Sequence, residues 1–244
     1  IDVDSDGDID VLSASSSDNK IAWYENNGSE NFTARTITTS AGSAQSVFAI
    51  DVDQDGDIDV LSASETDDKI AWYDNDGSES FTARTITTSA DEARSVFAID
   101  VDSDGDIDVL SASVSDDKIA WYENDGSESF TARSITTSAD KAKGLFAIDV
   151  DNDGDIDVLS ASQNDNKIAW YENNGSESFT ARTITTSANG ATSVFAIDVD
   201  SDGDIDVLSA SLNDDKIAWY ENDGSESFTA NDITTSADFA MSVL

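Results

Sequence analysis

The stretch DVDQDGDIDVLSAS, residues 51–64, opens with five aspartates in nine positions, one at every second residue. Like charges 5 Å apart repel by roughly 3 kcal/mol per pair at an effective dielectric of 20. The second half of the stretch is short and rich in β-branched residues, the composition of a strand. The whole phrase recurs five times. Ile1, Ile50, Ile99, Ile148 and Ile197 open it, and Trp23, Trp72, Trp121, Trp170 and Trp219 keep the same step, so the period is 49 residues. A chain that repeats such a costly charge pattern has something to hold there.

Within one unit four segments read as strands: SVFAIDV (46–52), DIDVLSAS (57–64), KIAWYEN (20–26) and FTARTITT (32–39). Turn signals separate them, Asp55-Gly56 and Asn75-Asp76-Gly77. No segment shows a 3.6-residue apolar period. Four antiparallel strands in a repeat of this length make an all-β, five-bladed β-propeller, with blades starting at 1, 50, 99, 148 and 197. No linker interrupts the series, so residues 1–244 are expected to form one domain.

The phase of the ends suggests a closed ring. Ile1 starts partway through a first strand, and Ser242-Val243-Leu244 supply the beginning of that strand, lacking only the Ala that precedes Ile elsewhere. Pairing of the chain ends would close five blades and remove exposed sheet edges. A fragment of a larger ring, or an open array that pairs with another chain, is the rival reading.

Composition narrows the chemistry. The net charge is −40, from 52 acids against 12 bases. Nucleic acids and anionic membrane surfaces both call for Lys/Arg patches, so neither is expected as a partner. No apolar run approaches membrane-spanning length. There is no Cys and no His, which removes disulfides, thiolates and the commonest general base. The sequence does not begin with Met, and it is read as a processed or excised piece whose targeting information is missing.

Numbered from its first residue, the acidic loop has Asp51, Asp53 and Asp55 at positions 1, 3 and 5, Gly56 at 6 and Asp59 at 9. Hard divalent cations such as Ca²⁺ take six to eight oxygens, and carboxylates at 1, 3 and 5 wrap them around one point. Glycine at 6 allows the sharp turn, and Asp57 at 7 offers its backbone carbonyl. A helix-flanked hand would place Glu at position 12, where this chain has Ser62. The loop is therefore read as a calcium loop in a β-hairpin, closed by Asp59. The other copies are complete: Asp2, Asp4, Asp6, Asp8 and Asp10; Asp100, Asp102, Asp104, Asp106 and Asp108; Asp149, Asp151, Asp153, Asp155 and Asp157; Asp198, Asp200, Asp202, Asp204 and Asp206. About five Ca²⁺ per chain follow. Solvated acidic turns of a salt-adapted protein would explain the acidity but not the fixed spacing or the glycine. Mg²⁺ is disfavoured, because so many protein oxygens leave no room for the waters it keeps.

At FAIDVDxDGDIDVLSAS followed by KIAWYEN the chain resembles the FG-GAP/VCBS repeats, the blades of the integrin α-subunit propeller, over essentially its whole length. The resemblance implies four-stranded blades with Ca²⁺ between the first and second strands, and adhesion or ligand recognition in an extracellular or cell-surface setting. The integrin-type ring has seven blades, and the Phe-Gly and Gly-Ala-Pro signatures are absent here, so integrin partners are not carried over.

The repeats differ at two places. One follows the second strand, at Ser16-Ser17, Glu65-Thr66, Val114-Ser115, Gln163-Asn164 and Leu212-Asn213. The other precedes the next first strand, at Ser43 and Gln45, Glu92 and Arg94, Lys141 and Lys143, Gly190 and Thr192, Phe239 and Met241. In an up-and-down blade both fall on the face opposite the acidic loops, as a binding surface on a rigid frame would. Free drift of loops would look similar, but the equally exposed ENDGSES loops have hardly changed. Glu65, Glu92, Arg94, Val114, Lys141, Lys143, Gln163, Leu212, Phe239 and Met241 are the candidate ligand-face residues.

The tryptophans read as inter-blade core, with sugar-stacking platforms as the sharper alternative. Arg35, Arg84, Arg133 and Arg182 read as outer-strand surface charges, with Asn231 in their place in the last unit. No catalytic constellation emerges, and the chain is expected to be non-enzymatic and monomeric. The function expected is a calcium-stabilised recognition module for a carbohydrate or an extracellular protein. The alternative is a structural or recently amplified repeat scaffold with no ligand of its own.

Overall fold

The computed structural model describes all of residues 1–244 and contains only strands, turns and loops. The first sheet holds β1 (Val11–Ser15), β2 (Lys20–Asn26) and β3 (Phe32–Thr38). The second holds β4 (Ala44–Ile50), β5 (Asp59–Ser64), β6 (Lys69–Asn75) and β7 (Phe81–Thr87). The third is β8 (Ala93–Ile99), β9 (Asp108–Ser113), β10 (Lys118–Asn124) and β11 (Phe130–Thr136). The fourth is β12 (Ala142–Ile148), β13 (Asp157–Ser162), β14 (Lys167–Asn173) and β15 (Phe179–Thr185). The fifth is β16 (Ala191–Ile197), β17 (Asp206–Ser211), β18 (Lys216–Asn222) and β19 (Phe228–Thr234). This is the expected all-β, five-bladed propeller class, with consecutive strands paired antiparallel in each blade. No helix is long and apolar enough to cross a membrane.

The chain divides into two compact units: residues 1–99, 105–116 and 121–133 in one, and 100–104, 117–120 and 134–244 in the other. In the first, Ile21, Ala44, Val60, Ala71 and Tyr73 belong to one apolar cluster. In the second, Leu159, Ile168, Trp170, Val194 and Val207 do the same. In a middle blade all of Ile70, Ala71, Trp72 and Tyr73 are buried, so both faces of β6 are covered. That is why KIAWYEN carries no polar residue in its first half after Lys. The Tyr73 hydroxyl, which burial would otherwise leave unpaired, lies 3.2 Å from the Ser62 hydroxyl on β5.

The expected pairing of the chain ends is not made. The first sheet stops at β1-β2-β3, and residues 240–244 belong to no strand. Val243 instead takes a hydrogen bond from the Ser193 hydroxyl at 3.4 Å on its carbonyl and donates its N–H back at 3.3 Å. Ser46 holds the Val96 N–H at 3.4 Å in the same way, so the tail keeps the contact between first strands of successive blades. A five-residue tail forms few rungs against the conformational entropy of fixing it.

Candidate metal centre

In the second to fifth blades the acidic loop joins the first two strands, in the first blade it leads into β1, and its aspartates are held by the loop's own backbone. In residues 51–59, Asp51 Oδ2 accepts the Gly56 N–H at 3.0 Å. Asp53 Oδ1 accepts from Asp55 N–H at 3.3 Å, and Asp55 Oδ1 from Asp57 N–H at 2.9 Å. These side-chain turns curl the chain around its carboxylates. Gln54 and Gly56 both take positive φ, +61° and +99°. A Cβ on Gly56 would meet nothing within 4 Å, so the glycine answers to backbone conformation and not to space.

The carboxylates converge. One oxygen each of Asp51, Asp53 and Asp59 lie within 4.8 Å of one another, and so do those of Asp2, Asp4 and Asp6 and of Asp149, Asp151 and Asp157. Asp51 Oδ1 and Asp2 Oδ1 are buried without a hydrogen-bond partner. An unpaired buried carboxylate oxygen is costly, and a cation is the partner that relieves it. An oxygen-only donor set suits a hard divalent ion, so the residues present fit calcium. Burial raises the Asp53 and Asp151 carboxyls above the usual range, and the neighbouring Asp55 and Asp153 charges push the same way.

Position 9 does more than the spacing suggests. Asp59 is fully buried, its Oδ2 accepting from Val52 N–H at 3.0 Å and its Oδ1 from Asn75 N–H at 2.8 Å. Asp10, Asp157 and Asp206 repeat both bonds. Each thus ties the loop to the strand that ends at that asparagine, and Asp59 and Asp157 also face the other carboxylates of their loops. Burial pushes Asp59 up to about 6 and Asp157 up to about 7, although the backbone donors favour their charged forms. At position 7 the side chain reaches out of the loop, and Asp155 lies over Gly175, where a Cβ would come within 2.5 Å of Asp155 Oδ2. The acidic loop and the third-to-fourth-strand hairpin of one blade therefore sit together.

Next to the loops lie clefts between successive blades. In the first unit one of about 340 Å³ is lined by Asp53, Asp55, Trp72, Asp106 and Glu128, and in the second one of about 500 Å³ by Asp151, Asp153, Trp170, Asp204 and Glu226. Four of the five tryptophans, Trp23, Trp72, Trp121 and Trp170, are covered and are not platforms, whereas Trp219 is partly exposed. Trp72 is 1% exposed, with the Phe130 ring edge-on at 6.4 Å and the Arg84 guanidinium 5.0 Å from its centroid.

The arginines are more than surface charges. Arg35 pairs with Glu25 of its own blade at 2.5 Å and Glu79 of the next at 2.9 Å. Arg84 does so with Asp74 and Glu128, and Arg182 with Glu172 and Glu226. Planar guanidinium stacked on indole and forked between two carboxylates clips one blade to the next. Sequence reasoning also misses an asparagine: Asn75 Nδ2 donates to Ile58 carbonyl at 3.0 Å and across to Val3 carbonyl at 3.4 Å. Its constancy in all five WYEN or WYDN phrases is the available signal.

The two variable segments do meet. Glu65 N–H donates to Ser43 carbonyl, Val114 to Glu92, Gln163 to Lys141 and Leu212 to Gly190. Glu92, Lys141, Phe239 and Met241 are exposed, and Arg94, Lys143, Gln163 and Leu212 partly so. Val114 is buried, which withdraws it from the candidate surface. Gln45 and Arg94 both donate to the Glu65 carboxylate. Phe239 holds φ +54° with its side chain 68% exposed, and its N–H is anchored by Asp215 Oδ1 at 3.1 Å.

Four four-stranded blades and a three-stranded first one, each with an acidic turn before its DVLSAS strand or its equivalent, define an all-β repeat propeller with oxygen-donor clusters that could hold metal ions. The chain belongs to the FG-GAP-like repeat family, whose pattern matches residues 2–62, 51–111, 100–160, 149–209 and 198–244. No curated protein matches it in sequence. Among solved structures it is similar to a functionally unknown protein from Desulfotomaculum acetoxidans (12% identity, 95% of this chain and 70% of that one, TM-score 0.65). It is also similar to virginiamycin B lyase from Staphylococcus aureus (15% identity, 96% and 70%, TM-score 0.65). A third is the V. cholerae biofilm matrix protein Bap1 (18% identity, TM-score 0.61), where all of this chain matches 39% of that one. At these identities the likeness is one of fold.

Proposed function

We propose that the chain is a calcium-binding, non-catalytic recognition module that works outside the cell or at its surface. The observation that carries the calcium reading is the buried, unpartnered Asp51 Oδ1 beside the Asp53 and Asp59 carboxylates. A hard ion there supplies charge neutralisation, and its binding energy becomes folding energy. The recognition surface is the rim where the variable segments meet, and a carbohydrate or an extracellular protein is the ligand class. Exposed Phe239 and Met241 offer apolar contact there, and Lys141 positive charge.

Calorimetric titration of chelator-treated protein with Ca²⁺, with melts alongside, tests the first half. About five ions per chain and a raised melting temperature support it, and no heat with an unchanged melt rejects it. A glycan and surface-protein binding screen tests the second, with Phe239→Ala, Met241→Ala and Leu212→Ala as controls. The donation of Gln45 and Arg94 to Glu65 favours a second reading, a scaffold without a ligand, because these varied residues are satisfied within the protein. Silence across broad panels selects it.

A further inference from the structure

Asparagine followed by glycine occurs three times in the chain, at Asn27-Gly28, Asn174-Gly175 and Asn189-Gly190. The pair is chemically labile, because the glycine nitrogen can reach the side-chain amide carbon of the residue before it and no Cβ hinders the approach. Glycine follows in all three, so what separates them is how firmly the fold holds the two groups that must meet.

The first two stand at one position of the repeat, the hairpin tips between β2 and β3 and between β14 and β15. Asn27, Gly28, Asn174 and Gly175 are all exposed. The Gly28 N–H donates to Asn26 Oδ1 at 3.2 Å, and Asn27 Oδ1 accepts from the Ser29 N–H at 3.0 Å. Gly175 and Asn174 repeat these bonds, at 3.3 and 3.0 Å. Exposed bonds at a hairpin tip open at small cost. Asn189-Gly190 is held more firmly. Gly190 is buried, its N–H donates to Asn166 Oδ1 at 2.9 Å, and its carbonyl accepts from the Leu212 N–H at 3.0 Å. Asn189 accepts from Asn213 twice, on its carbonyl at 3.0 Å and on Oδ1 at 3.3 Å. Freeing that amide means parting the loops that meet there.

The repeat also shows what the fold does with the product. At the same hairpin position the second, third and fifth blades carry aspartate: Asp76, Asp125 and Asp223. Each accepts the N–H of the serine two residues on at 2.9 Å, as the asparagines do. The Ser127 hydroxyl adds a second bond to Asp125 at 2.6 Å, and the Ser127 donors hold that carboxyl below its ordinary range. The hairpin is thus built to take a carboxylate where the first and fourth blades have an amide.

We propose that Asn27 and Asn174 are sites of spontaneous deamidation, and that the fold spares Asn189. Gly28 N loses its proton to solvent base and bonds to Asn27 Cγ, the Cγ–Nδ2 bond breaks and ammonia leaves. Water then opens the cyclic imide. Addition at Cγ restores the main chain with aspartate at 27, and addition at the backbone carbonyl routes the main chain through the side chain as isoaspartate. Aspartate keeps the bond to the Ser29 N–H. Isoaspartate lengthens the main chain by one carbon inside a hairpin closed by the Asn27 N–H on the Asn31 carbonyl, so it loosens the tip. Each conversion adds one negative charge to a chain of net charge −40.

The test is incubation of the folded 244-residue chain in mildly alkaline buffer, with peptide mass spectrometry at intervals and isoaspartate scored by enzymatic methylation. A parallel sample in denaturant gives the rate of each site in the unfolded chain. The expected result is similar rates at the three sites in denaturant. In the folded chain Asn27 and Asn174 convert about tenfold or more ahead of Asn189, equivalent to about 1.4 kcal/mol of extra opening cost. Asn27→Asp and Asn174→Asp remove the mass increment at their own sites and leave the melting temperature unchanged. Equal rates at the three sites of the folded chain, or Asn189 converting first, overturn the proposal. So do hairpin asparagines that stay intact while the denatured sample is consumed, and so does a lowered melt for either aspartate variant.

Discussion

The guanidinium of Arg94 donates to the carboxylate of Glu65 across 2.8 Å. Arg94 and Glu65 are among the residues that differ most between repeats, and they belong to adjacent blades. Variation on this rim is therefore partly reciprocal: a change in one blade is answered by its neighbour. Both side chains keep about 30% of their surface in water, which limits the pair to about 0.5 kcal/mol. A double-mutant cycle of Glu65→Ala and Arg94→Ala in thermal or denaturant unfolding should return a coupling of that size. A coupling of zero would mean the two positions vary independently.

Gly77 stands at φ +69°, and a Cβ there would run into the Asp57 carboxylate. Gly77→Ala should cost about 1–2 kcal/mol from the left-handed conformation alone, and more from the clash. Adding Asp57→Ala should recover the clash and leave the conformational part. Denaturant midpoints of the three variants separate the contributions.

Two aspartates of one loop should fail differently. Asp51→Asn keeps an acceptor for Gly56 and removes ligand charge, so it should lose one calcium equivalent in titration with little change in the chelated melt. Asp59→Ala leaves the buried Val52 and Asn75 N–H groups without their acceptors. It should destabilise even the metal-free protein, by about 1–3 kcal/mol, the cost of buried donors left unsatisfied. Equal chelated melts for both variants would contradict the structural role of Asp59.

The pH dependence should change sign with calcium. In metal-free protein Asp59 and Asp157 have folded pKa values raised by burial to about 6 and about 7, above the unfolded value of 3.8. Stability from their neutral forms is complete below about 4 and is lost as pH rises through 6 to 7, by about 3–4 kcal/mol per site at order of magnitude. Calcium binds the ionised form, so in saturating calcium the melting temperature should rise over the same window. Melts from pH 4 to 8, with chelator and with calcium, check this, and parallel curves would refute it.

Much of the site is legible in the sequence. The DxDxDG spacing concerns neighbours within nine residues, and their side-chain turns form from local backbone geometry alone. Strand identity is equally local, set by β-branched and aromatic content between glycine turns. The role of Arg35 is not legible, because its partners lie 10 and 44 residues away, and one belongs to another blade. Nor is the burial of Val114, because a valine in a variable turn gives no sign of what packs over it. The buried role of Asp59 depends on Asn75, 16 residues on, and no spacing rule predicts a carboxylate that serves two backbone donors.

By itself, then, the sequence determined the 49-residue period, the four strands of a blade, the acidic turn after the first of them and the two variable segments. These follow from covalent order and from interactions a few residues long. The tertiary structure alone decided that Trp72 lies buried under Arg84 and Phe130, that Asn75 reaches Val3 from 72 residues away, and that β1 pairs on one edge only while the tail bonds Ser193. Those outcomes depend on which surfaces meet when separate blades pack. A repeat carries the same residues whether its neighbour is present or not, so only the assembled fold distinguishes a covered face from an open one.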